Sequence, residues 1–161
     1  MTVSTDFYFE TIKKILDQSI SSYCAREGKP IPLIDAEIAT HIKNTSPEYR
    51  YPDPNINYDE PLCRLGYLFT HAGANATLFE RTVDGSKHVK TLISSKASSN
   101  INICTVGGGP GTELLGLTKY LLKKSIACHE IHFAVLDSVH EWSETWNYIA
   151  GESCKALTEG L

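Results

Sequence analysis

Val106-Gly107-Gly108-Gly109-Pro110-Gly111 closes a short apolar run, and Asp137 closes the next one about thirty residues later. A chain that leaves a strand and enters a helix at once must turn sharply, often through positive φ. Any ligand lying over that turn meets bare backbone, so a Cβ obstructs on both counts and glycine is required. In sheets of parallel strands, ligands sit at the carboxyl ends of the strands, where such a turn falls. A carboxylate at the end of the following strand can accept hydrogen bonds from both hydroxyls of a ribose. One helix plus one strand consumes the thirty residues between Gly107 and Asp137.

The glycine spacing narrows the nucleotide. A dinucleotide fingerprint runs G-x-G-x-x-G; counted from Gly107, its third glycine would be Thr112. The pattern that fits is G-x-G-x-G, at Gly107, Gly109 and Gly111. This resembles motif I of the class I S-adenosylmethionine-dependent methyltransferases, and Ala134-Val135-Leu136-Asp137 resembles their motif II. Charge agrees: Glu113 falls in the first helical turn, where a pyrophosphate would meet a repelling carboxylate. S-adenosylmethionine carries no phosphate, and its ammonium and sulfonium favour nearby acids. The resemblance implies that Gly107, Gly108, Gly109 and Gly111 line the methionine and adenosine portion. It also implies that Asp137 holds the ribose and Ser138 lies along the adenine edge. One position departs from the family: the acid usual two places before the first glycine is Thr105 here. A turn that merely packs helix on sheet, and a nicotinamide or flavin nucleotide site in an oxidoreductase fragment, are the competing readings.

The elements around these motifs fall into two regions. Residues 1–99 read as helical. Phe9, Ile12, Leu16, Ile20 and Tyr23 recur at helical steps, predicting an amphipathic helix over 6–26 that Gly28-Lys29-Pro30 ends. A shorter helix is expected over 35–43. Residues 45–61 hold four prolines and three tyrosines without a period, as a loop does. A helix resumes at Pro61 with an apolar stripe reaching Phe79, with Gly73 a point of interruption. Asp84-Gly85 signals a turn, 88–94 another short helix, and 94–100 a polar connector.

From residue 100 the pattern is that of a doubly wound α/β domain: strand 101–106, helix 112–124, strand 131–136, helix 141–150. The fold class is therefore α/β: a helical N-terminal region followed by the first part, βαβα, of a Rossmann-like parallel sheet. Residues 151–161 contain no further strand, so the sheet is expected to be incomplete. A fragment of a longer methyltransferase, or a module completed by another copy or partner through its open edge, accounts for this.

Other residues invite roles. Arg64, Tyr67, Thr70 and His71 share one helix face that could cap the cofactor, with Arg64 meeting its carboxylate, or could be an ordinary polar face. Trp142 and Trp146 could wall the adenine or simply pack their helix. Tyr49, Tyr51 and Tyr58 could fold over a substrate or lie on the surface. No catalytic residue and no methyl acceptor can be assigned from the residues.

Composition bounds the rest. The chain has 161 residues, 42% hydrophobic and 21% charged, with a net charge of −4. Those fractions suit a globular domain, and the acidic balance gives no nucleic-acid signal. No apolar run approaches the roughly 20 residues needed to span a bilayer, and no secretory leader is visible. The five cysteines form no CxxC pair and share no zinc spacing with the histidines. A cytoplasmic or nuclear protein with reduced thiols and no metal is the expectation.

Overall fold

The computed structural model describes residues 6–51, 55–95 and 100–160. Among the described residues seven helices and two strands follow one another: α1 (Phe7–Glu27), α2 (Ile31–Thr45), α3 (Pro61–Thr70), α4 (Ala72–Gly85), α5 (Lys87–Ser95), β1 (Asn100–Val106), α6 (Thr112–Lys124), β2 (Glu130–Leu136) and α7 (Ser143–Gly160). Short 3₁₀ turns occupy Glu48–Arg50 and His140–Trp142. The class is mixed α/β, dominated by helix. Residues 52–54 of the expected loop and 96–99 of the expected connector lie outside the described residues.

Local chemistry explains most boundaries. Gly28, at φ 65°, takes the left-handed conformation and its N–H bonds the Cys24 carbonyl, which ends α1. α2 starts at Ile31, after the N-cap Pro30 and four residues earlier than expected, because Pro32 suits a first turn. The break in the long helical stretch falls at His71, not at Gly73. Gly73 instead sits inside α4, where Ile12 of α1 lies 3.4 Å from the position a Cβ would take. Asp84-Gly85 closes α4 as its last turn rather than standing apart from it.

The final helix is longer than its sequence suggests. Gly151 reads as a stop, yet it is exposed with open space around its Cβ position. The buried stripe Thr145, Ile149, Ser153 passes straight through it at four-residue steps, so α7 continues to Gly160.

β1 and β2 pair in parallel, from Asn100 opposite Glu130 to Val106 opposite Leu136. Among the described residues this two-stranded sheet is the whole of the β-structure. Its inward side chains, Ile101, Ile103, Ile131 and Phe133, join a core built on α6. Leu115, Leu117 and Leu121 of α6 are fully buried. The helix approaches α4 so closely that a Cβ on Gly116 would lie 2.6 Å from the Ala76 carbonyl oxygen.

The same core takes in Tyr8, Ile12 and Ile15 of α1 and Ala72 and Ala76 of α4. The helical and αβ regions therefore share one apolar interior across residue 100. A polar tie reinforces it: buried Glu80 accepts a hydrogen bond from Tyr8 at 2.9 Å and pairs with Lys123 at 3.1 Å. Alternation along the strands sends Cys104, Val106, Ala134 and Leu136 to the opposite face, where all four are exposed. Helices thus cover one face of the sheet and leave the other open. Parallel strands ordinarily have both faces covered.

Candidate functional site

The glycine turn forms as its residue types demand. Gly107, Gly109 and Gly111 adopt φ of 67°, 50° and 80°, a region that side chains with a Cβ rarely enter. The Gly107 N–H extends the ladder to the Leu136 carbonyl at 2.7 Å, and Gly111 N–H closes a turn on the Gly108 carbonyl at 2.8 Å. Gly108 is bare for a separate reason. The Thr105 hydroxyl occupies the space that a Cβ there would need. A short side chain at 105 and none at 108 are thus complementary, which gives a packing reason for threonine in place of the acid.

Asp137 lies directly against this turn. Its Oδ2 accepts the Gly109 N–H at 2.8 Å, and its Oδ1 accepts the Val139 N–H at 2.8 Å. The carboxylate therefore pins the glycine turn to the loop that follows β2. Each oxygen keeps a further lone pair for an outside donor. Ser138, beside it, is exposed. The structure brings Gly109 and Asp137 into contact and sets Gly107 in open space, with nothing within 4 Å of its Cβ position. Gly111 is buried, and the Trp146 ring occupies the place its Cβ would take.

The aromatic side chains decide how open the turn is. Trp142 is buried, with its ring 3.7 Å from the Cβ position of Gly109. Tyr58 and Tyr67 stand over the same indole, at ring separations of 5.6 and 5.5 Å. Trp146 stacks on Phe133 at 5.5 Å. Between Gly109, Asp137, Val139, His140 and the two indoles remains a cleft of about 160 Å³. Sites for drug-sized ligands span about 300–1,000 Å³. The cleft is smaller than that range.

The helix face singled out by spacing has mixed fates. Arg64 Nη1 donates to the Tyr58 and Asp59 carbonyls at 2.6 and 2.8 Å, so it holds the tyrosine loop. Tyr67 faces Trp142, and the His71 ring lies tilted against Tyr49 with ring centres 4.2 Å apart. Thr70 is exposed. Of the loop tyrosines, Tyr49 and Tyr58 turn inward and share a hydrogen bond at 2.9 Å, while Tyr51 is 62% exposed. Tyr58, Tyr67 and Trp142 therefore form one aromatic cover. Residue spacing cannot reveal it, because the three come from a loop and two distant elements.

Glu113, read in sequence only as a repellent for phosphate, proves unusual in another respect. Its Oε2 is buried with no hydrogen-bond partner. Burial pushes its carboxyl above the usual range, and its own backbone N–H offsets part of that rise. The Tyr67 phenol is likewise raised, first by burial. The Asn75 amide, donating to it at 2.6 Å, opposes the rise, and the charges of Glu113, Tyr49 and Asp137 add to it. Both carboxylates therefore act on the same phenol.

Elsewhere, burial drives the Cys63 thiol up to about 11, which keeps it protonated and poorly nucleophilic. Among the described residues no three metal-ligating side chains gather, and no helix is long and apolar enough to cross a membrane. No protein-family model, curated protein or solved structure matches this chain.

Proposed function

We propose that this chain binds S-adenosylmethionine as the donor portion of a methyltransferase, with Gly107, Gly108, Gly109, Gly111, Asp137 and Ser138 at the nucleoside. One observation carries the reading. Three left-handed glycines sit at the carboxyl ends of two parallel strands, and the carboxylate ending the second strand holds the turn through Gly109. Asp137 keeps acceptor capacity for ribose hydroxyls, and Gly107 offers open backbone. S-adenosylmethionine supplies an electrophilic methyl group, and its transfer depends chiefly on alignment of acceptor, methyl carbon and sulfur. The acceptor is not assigned. Glu113, desolvated in the first turn of α6, argues against a dinucleotide pyrophosphate and so against an oxidoreductase.

Titration calorimetry with S-adenosylmethionine, S-adenosylhomocysteine and nicotinamide dinucleotide tests this. Saturable binding of the first two is expected, lost in Gly109→Val and Asp137→Ala, and accompanied by a change in tryptophan fluorescence, because Trp142 lines the cleft. Binding of the dinucleotide alone would move the assignment to an oxidoreductase.

A second reading rests on the uncovered sheet face, where Val106 and Leu136 are 84% and 57% exposed. A methyltransferase-like module without catalysis would use that face or its edge to join a partner. A folded chain that self-associates and binds neither methyl compound would favour it.

A further inference from the structure

We infer that the free edge of β2 pairs with the same edge of a second copy of this chain, joining the two into one continuous sheet. The inference rests on the partner-binding reading, names its partner and register, and stands whether or not a methyl donor binds.

The peptide groups of β2 give the first reason. Among the described residues this strand has a neighbour on one side only. The Gly107 N–H bonds the Leu136 carbonyl, so the even-numbered residues of β2 turn their peptide groups towards β1. By alternation, the N–H and C=O groups of Ile131, Phe133 and Val135 point to the free side. A second extended backbone matches such a row of donors and acceptors. Exposed edges are ordinarily blunted by lysine, proline or a bulge. The run from Ile131 to Leu136 contains neither residue, and its register with β1 proceeds residue for residue.

Side chains give a second, independent reason. A cavity of about 500 Å³ is lined by Leu114, Ile131, Phe133, Trp146, Ala150 and Leu157, among others. No residue of β1 lines it, so it opens beside the free edge of β2, above α7. Ile131, Phe133, Trp146 and Leu157 are only half-buried, although all four pack on the main core. A strand added to β2 would hang its inward side chains in this space.

The strand is also complementary to itself, as a two-fold contact requires. Antiparallel pairing centred on Phe133 sets Phe133 against its own copy and Ile131 against Val135 of the second copy. Both become hydrogen-bonded pairs, because their peptide groups face the edge. His132 then opposes Ala134 and Glu130 opposes Leu136, so no like charges meet. A two-fold axis normal to the sheet keeps the helices of both copies on one face, and the Phe133 ring of each copy closes the cavity of the other. β1 becomes the outer edge, and its Asn100 and Asn102 make it the poorer strand former.

Light scattering on the full chain should give twice the mass of one chain. Tryptophan emission should move to shorter wavelength as concentration rises, because Trp146 lines the cavity. His132 and Ala134 are exposed, so substitutions there spare the core. The double variant His132→Lys with Ala134→Lys sets like charges opposite one another in the pairs where side chains lie closest. It should run as a monomer with an unchanged circular dichroism spectrum. His132→Glu with Ala134→Glu should behave the same way, and an equimolar mixture of the two variants should regain the dimer mass.

A lysine variant that stays dimeric, or a mixture that fails to recombine, would overturn this pairing while leaving the partner-binding reading to another surface. A wild-type chain that is monomeric at every concentration would overturn self-association altogether.

Discussion

At the scale of single residues, the glycines of the turn divide into two kinds. Gly107 and Gly111 share the left-handed conformation, but their surroundings differ completely. Nothing lies within 4 Å of the Gly107 Cβ position, whereas the Trp146 ring fills that of Gly111. Gly107→Ala should therefore cost only the backbone term, about 1–2 kcal/mol. Gly111→Ala adds overpacking against an indole, typically a further 1–3 kcal/mol. Urea unfolding of the two variants should separate them in that order. Ligand affinity should reverse the emphasis: on the proposed donor site, Gly107→Ala, though well folded, should bind S-adenosylmethionine poorly, because its methyl group would project into the open space assigned to the ligand. Normal binding by Gly107→Ala would show that the open backbone there is not used.

At the scale of elements, α6 is the member on which the others depend. Its first turn follows the glycine loop, its apolar faces are buried along nearly their whole length, and α4 and α7 both pack against it. Gly116 allows the close approach of α4, with backbone rather than a movable side chain as its nearest neighbour. Gly116→Val should thus destabilise the protein by about 1–3 kcal/mol or more. Because α6 begins at the turn, its displacement should also weaken ligand binding. A thermal melt with a binding isotherm on the same variant checks both; an unchanged melting temperature would mean that α4 and α6 separate more easily than their packing implies. The helix periods, the two strands and the αL stop at Gly28 were legible from spacing, because each depends on residues within a few positions. Gly73 and Gly151 misled for the opposite reason. Both look like local punctuation, but Gly73 lies inside α4 beside Ile12 and Gly151 lies in a helix held by a buried stripe.

At the scale of the whole molecule, two carboxyls make the acid response a balance. Glu144 of α7 ties α1 to α7 through the Ser22 hydroxyl and Arg26, 3.0 Å away. The Ser22 hydrogen bond and the Arg26 pairing hold its carboxyl below the ordinary range, against an opposing desolvation. Its contribution is present above the unfolded value of about 4.3 and is lost as pH falls through the folded one. Glu113 runs the other way. With its folded value raised, it favours the native state most below about 4.3 and loses that contribution as pH rises through the folded value. Glu144→Gln should cost about 0.5 kcal/mol at pH 7, discounted for the exposure of the pair, and should flatten the loss of stability in acid. Glu113→Gln should steepen that loss. Unfolding curves at pH 7 and pH 4 give the comparison, and identical slopes for the two variants would refute it.

The sequence by itself determined the order strand, glycine turn, helix, strand, acid, and with it the prospect that Asp137 faces the turn. Those features follow from backbone sterics and short-range periodicity, which act between near neighbours. Tertiary structure alone decided that Tyr58, Tyr67 and Trp142 close over the turn, that Arg64 is committed to loop carbonyls, and that Glu113 keeps an oxygen without a partner. Each of these depends on which distant side chains share a small volume, and packing of that kind leaves no periodic trace along the chain.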